Sequence, residues 1–141
     1  MTEGAWTLAT LDAALRATEA VTAGEFATRL EGDVLLVTMT AHGDLEIYVN
    51  VSPAQIAASV LLWPCDEQAD RAAFNEVLLK AQKIVPLSNF GIATVGGRDF
   101  YELFGELATT SPIDTVVIEL RTLAENAIEA ATELRAAYAP A

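Results

Sequence analysis

The sequence predicts an α+β fold over residues 1–141: an antiparallel sheet packed with helices, in the order α-β-β-β-α-β-β-α. Three observations predict it. The hydrophobic spacing switches from helical to alternating and back, twice along the chain. Consecutive alternating runs are joined by turns too short for a parallel crossover. The chain closes on an apolar stripe of about three heptads.

The first helix, expected over 5–22, is read from "TLATLDAALRATEAV". Leu8, Leu11, Leu15 and Val21 recur near helical spacing, and Thr7 or Thr10 is placed to cap it. "DVLLVTMTA" is a dense run rich in strand formers, and "HGD" after it reads as a hairpin turn. "LEIYVNV" puts Leu45, Ile47, Val49 and Val51 on one face and Glu46, Tyr48 and Asn50 on the other. "SP" turns the chain again, and "AQIAASVLLW" is a third strand, ended by Pro64. These strands are expected over 33–41, 44–51 and 54–64.

Asp66 then reads as the N-cap of a helix over 66–85. Phe74, Val77, Leu78, Ala81 and Val85 share one face, Lys80 and Lys83 suit the negative end of the dipole, and Pro86 stops it. Two strands over 91–96 and 99–107 flank the hairpin signal Gly96-Gly97, which completes a five-stranded sheet. Ser111, Pro112 and Asp114 are read as N-cap, first-turn proline and capping acid of a helix over 112–138. Its stripe runs Ile113, Val117, Leu120, Ala124, Ala127, Ala131, Leu134 and Tyr138. That length is about 40 Å at 1.5 Å per residue. It exceeds the width of five strands, about 24 Å at 4.8 Å each. Leu134 and Tyr138 are therefore expected to serve self-association or a partner as well as the core.

Composition narrows the function. The 141 residues, 52% hydrophobic, suffice for one domain with a real core. The net charge of -12 is spread along the chain rather than held in a tail, so it belongs to the folded surface. Such a surface repels phosphate backbones and anionic lipid, so neither nucleic-acid binding nor peripheral binding to anionic lipid is expected. No apolar run approaches the ~18 residues of a transmembrane helix, so no membrane insertion is expected. "MTEGAWTLATLDAAL" shows no basic region followed by an apolar core, and a cytoplasmic protein is expected.

The stretch "FNEVLLKAQKIVPLSNFGI", with "VGGRDFYELFGELA", resembles the YjfI-like family of bacterial proteins. Phe74, Leu78, Leu79, Gln82, Lys83, Ile84, Pro86, Leu87, Ser88, Gly91, Ile92, Tyr101, Phe104, Gly105 and Leu107 carry the match, and Gln82 to Ser88 is its most specific part. The resemblance implies no catalytic residues. It implies a bacterial setting and an association with PspA-like membrane-stress proteins. The element order is also similar to the type III secretion chaperone and YbjN-like fold, whose members generally bind proteins, often as dimers; this likeness is one of topology.

Chemistry-bearing residues are sparse. His42, the one histidine, reads as a polar turn residue, since one histidine makes no His-based metal cluster. Cys65, the one cysteine, lacks a base nearby in sequence. Asp66, Glu67 and Asp70 lack calcium-loop spacing, and Gly96-Gly97 lacks the lysine of a phosphate loop. No metal or organic cofactor is expected. The Lys83–Ile92 stretch keeps two readings. Val85, Leu87, Phe90 and Ile92 tuck under the sheet edge, with Gly91 permitting a tight path. Alternatively Leu87 and Phe90 form an exposed docking patch, rimmed by Lys80, Lys83 and Arg98. The expected function is a non-enzymatic adaptor or chaperone-like module acting with a PspA-like partner, with a homodimer possible. The alternative is an enzyme or small-ligand sensor with a site near Cys65 or the Lys83–Ile92 stretch.

Overall fold

The computed structural model describes residues 4–135. Helix α1 spans Leu8–Arg16. Thr7 caps it: its hydroxyl accepts from the Thr10 N–H at 3.2 Å, and the Thr10 hydroxyl accepts from the Thr7 N–H at 2.9 Å. The single helix expected over 5–22 is interrupted. The Thr18 hydroxyl donates to the Leu15 carbonyl at 2.6 Å, competing with the helical ladder, and a short α2, Glu19–Thr22, restarts behind it.

The sheet has six strands, not the expected five. These are β1 (Ala27–Glu31), β2 (Val34–Met39), β3 (Leu45–Val51), β4 (Ile56–Pro64), β5 (Asn89–Val95) and β6 (Arg98–Leu107). Their spatial order is β1-β2-β3-β4-β6-β5, and every neighbouring pair is antiparallel. β1 escapes the sequence because "ATRLE" lies at an edge and mostly faces water, so burial imposes no alternation on it. In β3 the alternation is as read: Ile47 and Val49 are buried, and Glu46, Tyr48 and Asn50 are exposed. Gly96 and Gly97, with φ of 60° and 79°, make the turn between β5 and β6, where both central residues need the left-handed region.

Helix α3 spans Arg71–Ala81 and is capped by Asp70, whose carboxylate accepts from the Ala73 N–H at 3.1 Å. The expected cap, Asp66, instead lies in a 3₁₀ turn, Cys65–Glu67, and holds Arg98. Burying Cys65 delays the helix by a turn. α3 then tightens into a second 3₁₀ turn, Gln82–Ile84. Helix α4 spans Ile113–Glu129 and starts after Pro112 with no side-chain cap, so the expected capping role of Ser111 is corrected. The Ser111 carbonyl takes the Trp6 indole N–H at 2.7 Å. Beyond Glu129 the backbone widens into a π turn, Ala130–Leu134. The apolar stripe shifts phase there: Ala130 is buried and Ala131 is exposed. Leu134 is half-buried against the core. Tyr138 lies outside the described residues.

The helices cover one face of the sheet. Leu11 and Leu15 of α1, Phe74 and Leu78 of α3, and Val116, Leu120 and Leu123 of α4 close over it. Leu35, Val37, Ile47, Val49, Ile56, Val60, Tyr101 and Leu103 of the sheet join them in one continuous core.

Candidate functional site

The stretch between α3 and β5 decides what the chain presents at one margin of the sheet. Pro86 ends the helical path. Leu87 follows with φ of 63°, in the left-handed region that a bulky side chain rarely occupies. Asn126 of α4 holds this backbone: its amide donates to the Pro86 carbonyl at 2.8 Å and to the Ser88 hydroxyl at 2.9 Å. Gln82 then clamps the start of β5. Its side-chain amide donates to the Phe90 carbonyl at 2.8 Å and accepts from the Phe90 N–H at 2.7 Å. That is the pair of bonds a neighbouring strand would make.

The clamp fixes the phase of β5. Phe90 bonds away from β6, and antiparallel residues alternate, so Ile92 and Thr94 also turn their backbone groups outward. Apolar side chains surround this bare margin: Leu79 is 70% exposed, Ile84 80% and Leu87 60%, with Ile92 and Val95 nearly half exposed. Phe90 turns the other way and is only 7% exposed, so the expected Leu87–Phe90 patch is carried by Leu87 alone of the two. Leu87 and Ile92 do not tuck under the sheet, as the core-packing reading had it. A pocket of about 300 Å³ opens beside β5, lined by Asn75, Leu78, Leu79, Phe90, Ile92 and Tyr101. On the other side of Phe90, Ile84, Val85, Ala130 and Leu134 line a second pocket of about 180 Å³.

Among the described residues, the expected basic rim is reduced to one cation without an ion pair. Lys80 pairs with Glu76 at 3.3 Å. Arg98 holds Asp66 through two bonds of 2.9 and 2.8 Å, which lowers the Asp66 carboxyl below its ordinary value. Among the described residues, every Arg and Lys except Lys83 is ion-paired. Lys83 is exposed beside Gln82.

This margin holds Gln82 to Ser88, the most specific part of the family resemblance. The chain belongs to DUF2170. That family, described as an uncharacterized protein conserved in bacteria, matches residues 5–138. The chain is also 30% identical over 99 residues to the uncharacterized protein YjfI of Escherichia coli (strain K12), and to that of Escherichia coli O157:H7. Each alignment covers 70% of this chain and 74% of the relative. The YjfI-like resemblance read from the sequence is therefore upheld.

The other chemistry-bearing residues of this DUF2170 chain lie apart from the margin. Cys65 is fully buried, and burial pushes its thiol up, away from the thiolate a nucleophile needs. It sits by a cluster of Trp63, Phe74 and Tyr101; the Phe74 and Tyr101 ring centroids are 5.1 Å apart. The Tyr101 hydroxyl donates to Asn75 at 2.7 Å, and burial pushes it to about 12. His42 faces Glu125 of α4 at 4.0 Å. Among the described residues, no three His, Cys, Asp or Glu side chains gather as a metal site, and no helix is long and apolar enough to cross a membrane.

Two features escaped the sequence reading. Gln82 stands out in the sequence only as part of the family motif, with no structural role attached to it. Glu119 is 4% exposed, with Oε1 unpartnered among the described residues, and lies against Gly105, where a Cβ would overlap it. Burial raises its carboxyl above the ordinary value. The available signal was an acid three residues from Val116 and four from Leu123, on the apolar face of α4.

Proposed function

We propose that this DUF2170 chain is a non-enzymatic protein-interaction module, adaptor or chaperone-like, that works in the bacterial cytoplasm. Its proposed partner is the PspA-like membrane-stress protein that the YjfI-like resemblance implies. The observation that carries the reading is the β5 margin. Leu79, Ile84, Leu87 and Ile92 stand exposed around a strand edge with outward backbone groups, and Lys83, without an ion pair among the described residues, follows Gln82. Apolar side chains in water cost about 25 cal/mol per Å² relative to burial, and contiguous patches mark interaction surfaces. Burial pushes the Cys65 thiol up, which is the opposite of what activates a cysteine nucleophile.

Calorimetric titration of a purified PspA-like protein from the same bacterium tests this. The wild type should bind. Ile84→Glu with Leu87→Glu should weaken binding at least about tenfold, as loss of a central apolar anchor does, while the thermal midpoint changes little. No binding by the wild type, or full binding by the double variant, overturns the reading.

A further inference from the structure

We propose that the β5 margin accepts an extended peptide segment as a seventh strand. The segment would carry an apolar side chain for the Leu79–Ile92 pocket and an acidic residue for Lys83. This rests on the interaction reading above and names the chemistry of its partner.

Three independent observations converge. The first is backbone: Ile92 and Thr94 point their N–H and C=O groups away from β6, and among the described residues no strand lies beyond them. An extended chain laid there gains main-chain hydrogen bonds whatever its sequence. The second is shape: the pocket between α3 and β5, about 300 Å³, lies on the face that the Ile92 side chain shares with Phe90 and Tyr101. Every second side chain of an added strand points to that face, so one of them meets the pocket. The third is charge: Lys83, the one cation without an ion pair among the described residues, follows Gln82. Gln82 closes the lane at Phe90, so an acidic residue belongs at that end of the segment.

Gln82 also selects against a second copy as the occupant. A two-fold pairing of β5 centred on Ile92 or Ala93 would run the copy's strand past Phe90, where the Gln82 amide already stands. A copy brings a net charge of -12 as well, against the same charge here. A free segment can leave the sheet before Phe90 and needs one carboxylate.

The test uses the full chain and displayed random peptides of about seven residues, long enough to span the margin. The selected peptide is synthesised plain and with alternate backbone amides N-methylated. Apolar residues at every second position with Asp or Glu at one end are expected. Binding should fall about tenfold or more with Lys83→Glu, and with N-methylation of one alternate set but not the other. Exchange of the Ile92 and Thr94 amides should slow on binding. Ile92→Pro, which deletes an outward N–H, should also abolish binding; the N-methylated peptides keep the test decisive where that variant unfolds. Absence of any selected pattern, indifference to N-methylation, or a wild-type dimer protecting the same amides without peptide overturns the proposal. A PspA-like protein that binds the wild type but ignores Lys83→Glu and leaves those amides unprotected also overturns it, while the interaction reading survives. Peptide binding without PspA-like binding overturns only the choice of partner.

Discussion

The two edges of this sheet are defended by different chemistry. At β1, α1 reaches over the margin with charge. Arg16 donates to the outward Thr28 carbonyl at 3.2 Å, the Thr28 hydroxyl donates to Asp12 at 2.7 Å, and Arg29 pairs with Glu31 at 3.1 Å. At β5, among the described residues, the guard on an outward backbone group is the neutral Gln82 amide, and it covers Phe90 alone. β1 is five residues long with two charges, whereas β5, "NFGIATV", is seven residues long with none. Exposed edges are templates for pairing, and charge is a common way to block them. One edge carries charge and the other carries none, which is why the uncharged one is the place to look for a partner.

The largest way to break this contrast is Gln82→Ala. It removes both bonds to the Phe90 backbone and should cost about 1–3 kcal/mol, at roughly 1 kcal/mol per neutral hydrogen bond. It also lengthens the bare edge by one outward residue. Denaturant unfolding should show the loss, and amide exchange should place it at Phe90 before the rest of β5. Unchanged stability would mean that water replaces Gln82 freely and that the clamp guards nothing.

The charged margin also explains what sequence alone conveyed. Strands with one face in the core, such as β3, announce themselves, because burial forces alternation on Ile47 and Val49. β1 carries no such signal: it is a strand because β2 offers it an edge, and that is a tertiary fact. Asp66 and Asp70 are equally good caps on paper, and burial of Cys65 with the pull of Arg98 decides between them. Leu87 and Phe90 are both apolar in one connection. A loop has no period, so nothing local says that Leu87 turns out at positive φ while Phe90 turns in. The motif around Gln82 was visible, but its role was not, since an amide clamp needs the β5 backbone in place.

A smaller effect sharpens the contrast through pH. Near β1, Glu25 accepts from Arg121 at 2.7 and 2.8 Å, and that pairing lowers its carboxyl. The stability it contributes is full above the unfolded value of about 4.5 and is lost as pH falls through its lowered folded value. Against Gly105 of β6, the buried Glu119 has a raised carboxyl. Its contribution is full below about 4.5 and is lost as pH rises through the raised folded value. Glu119→Gln should therefore flatten the stability profile on the neutral side, and Glu25→Gln should flatten it on the acid side. Thermal melts from pH 3 to pH 8 would read both. Profiles parallel to wild type would show that neither carboxyl is coupled to folding.

The smallest expected effect on stability gives β5 the defence that β1 already has. Val95 is 49% exposed near the end of β5, and the edge beside it carries no charge. Val95→Lys places an ammonium there with an exposed stem, so stability should change by no more than about 0.5 kcal/mol, as for most surface substitutions. Association should respond instead, because a second strand would have to desolvate the new charge. Light scattering during a slow thermal ramp should show later or weaker aggregation than wild type at the same midpoint. The reciprocal change, Arg29→Val, strips one charge from β1 and its pair with Glu31. It should shift aggregation little, because Arg16 still occupies the outward Thr28 carbonyl. If Arg29→Val promoted aggregation more than Val95→Lys suppressed it, the open edge of this sheet would be β1.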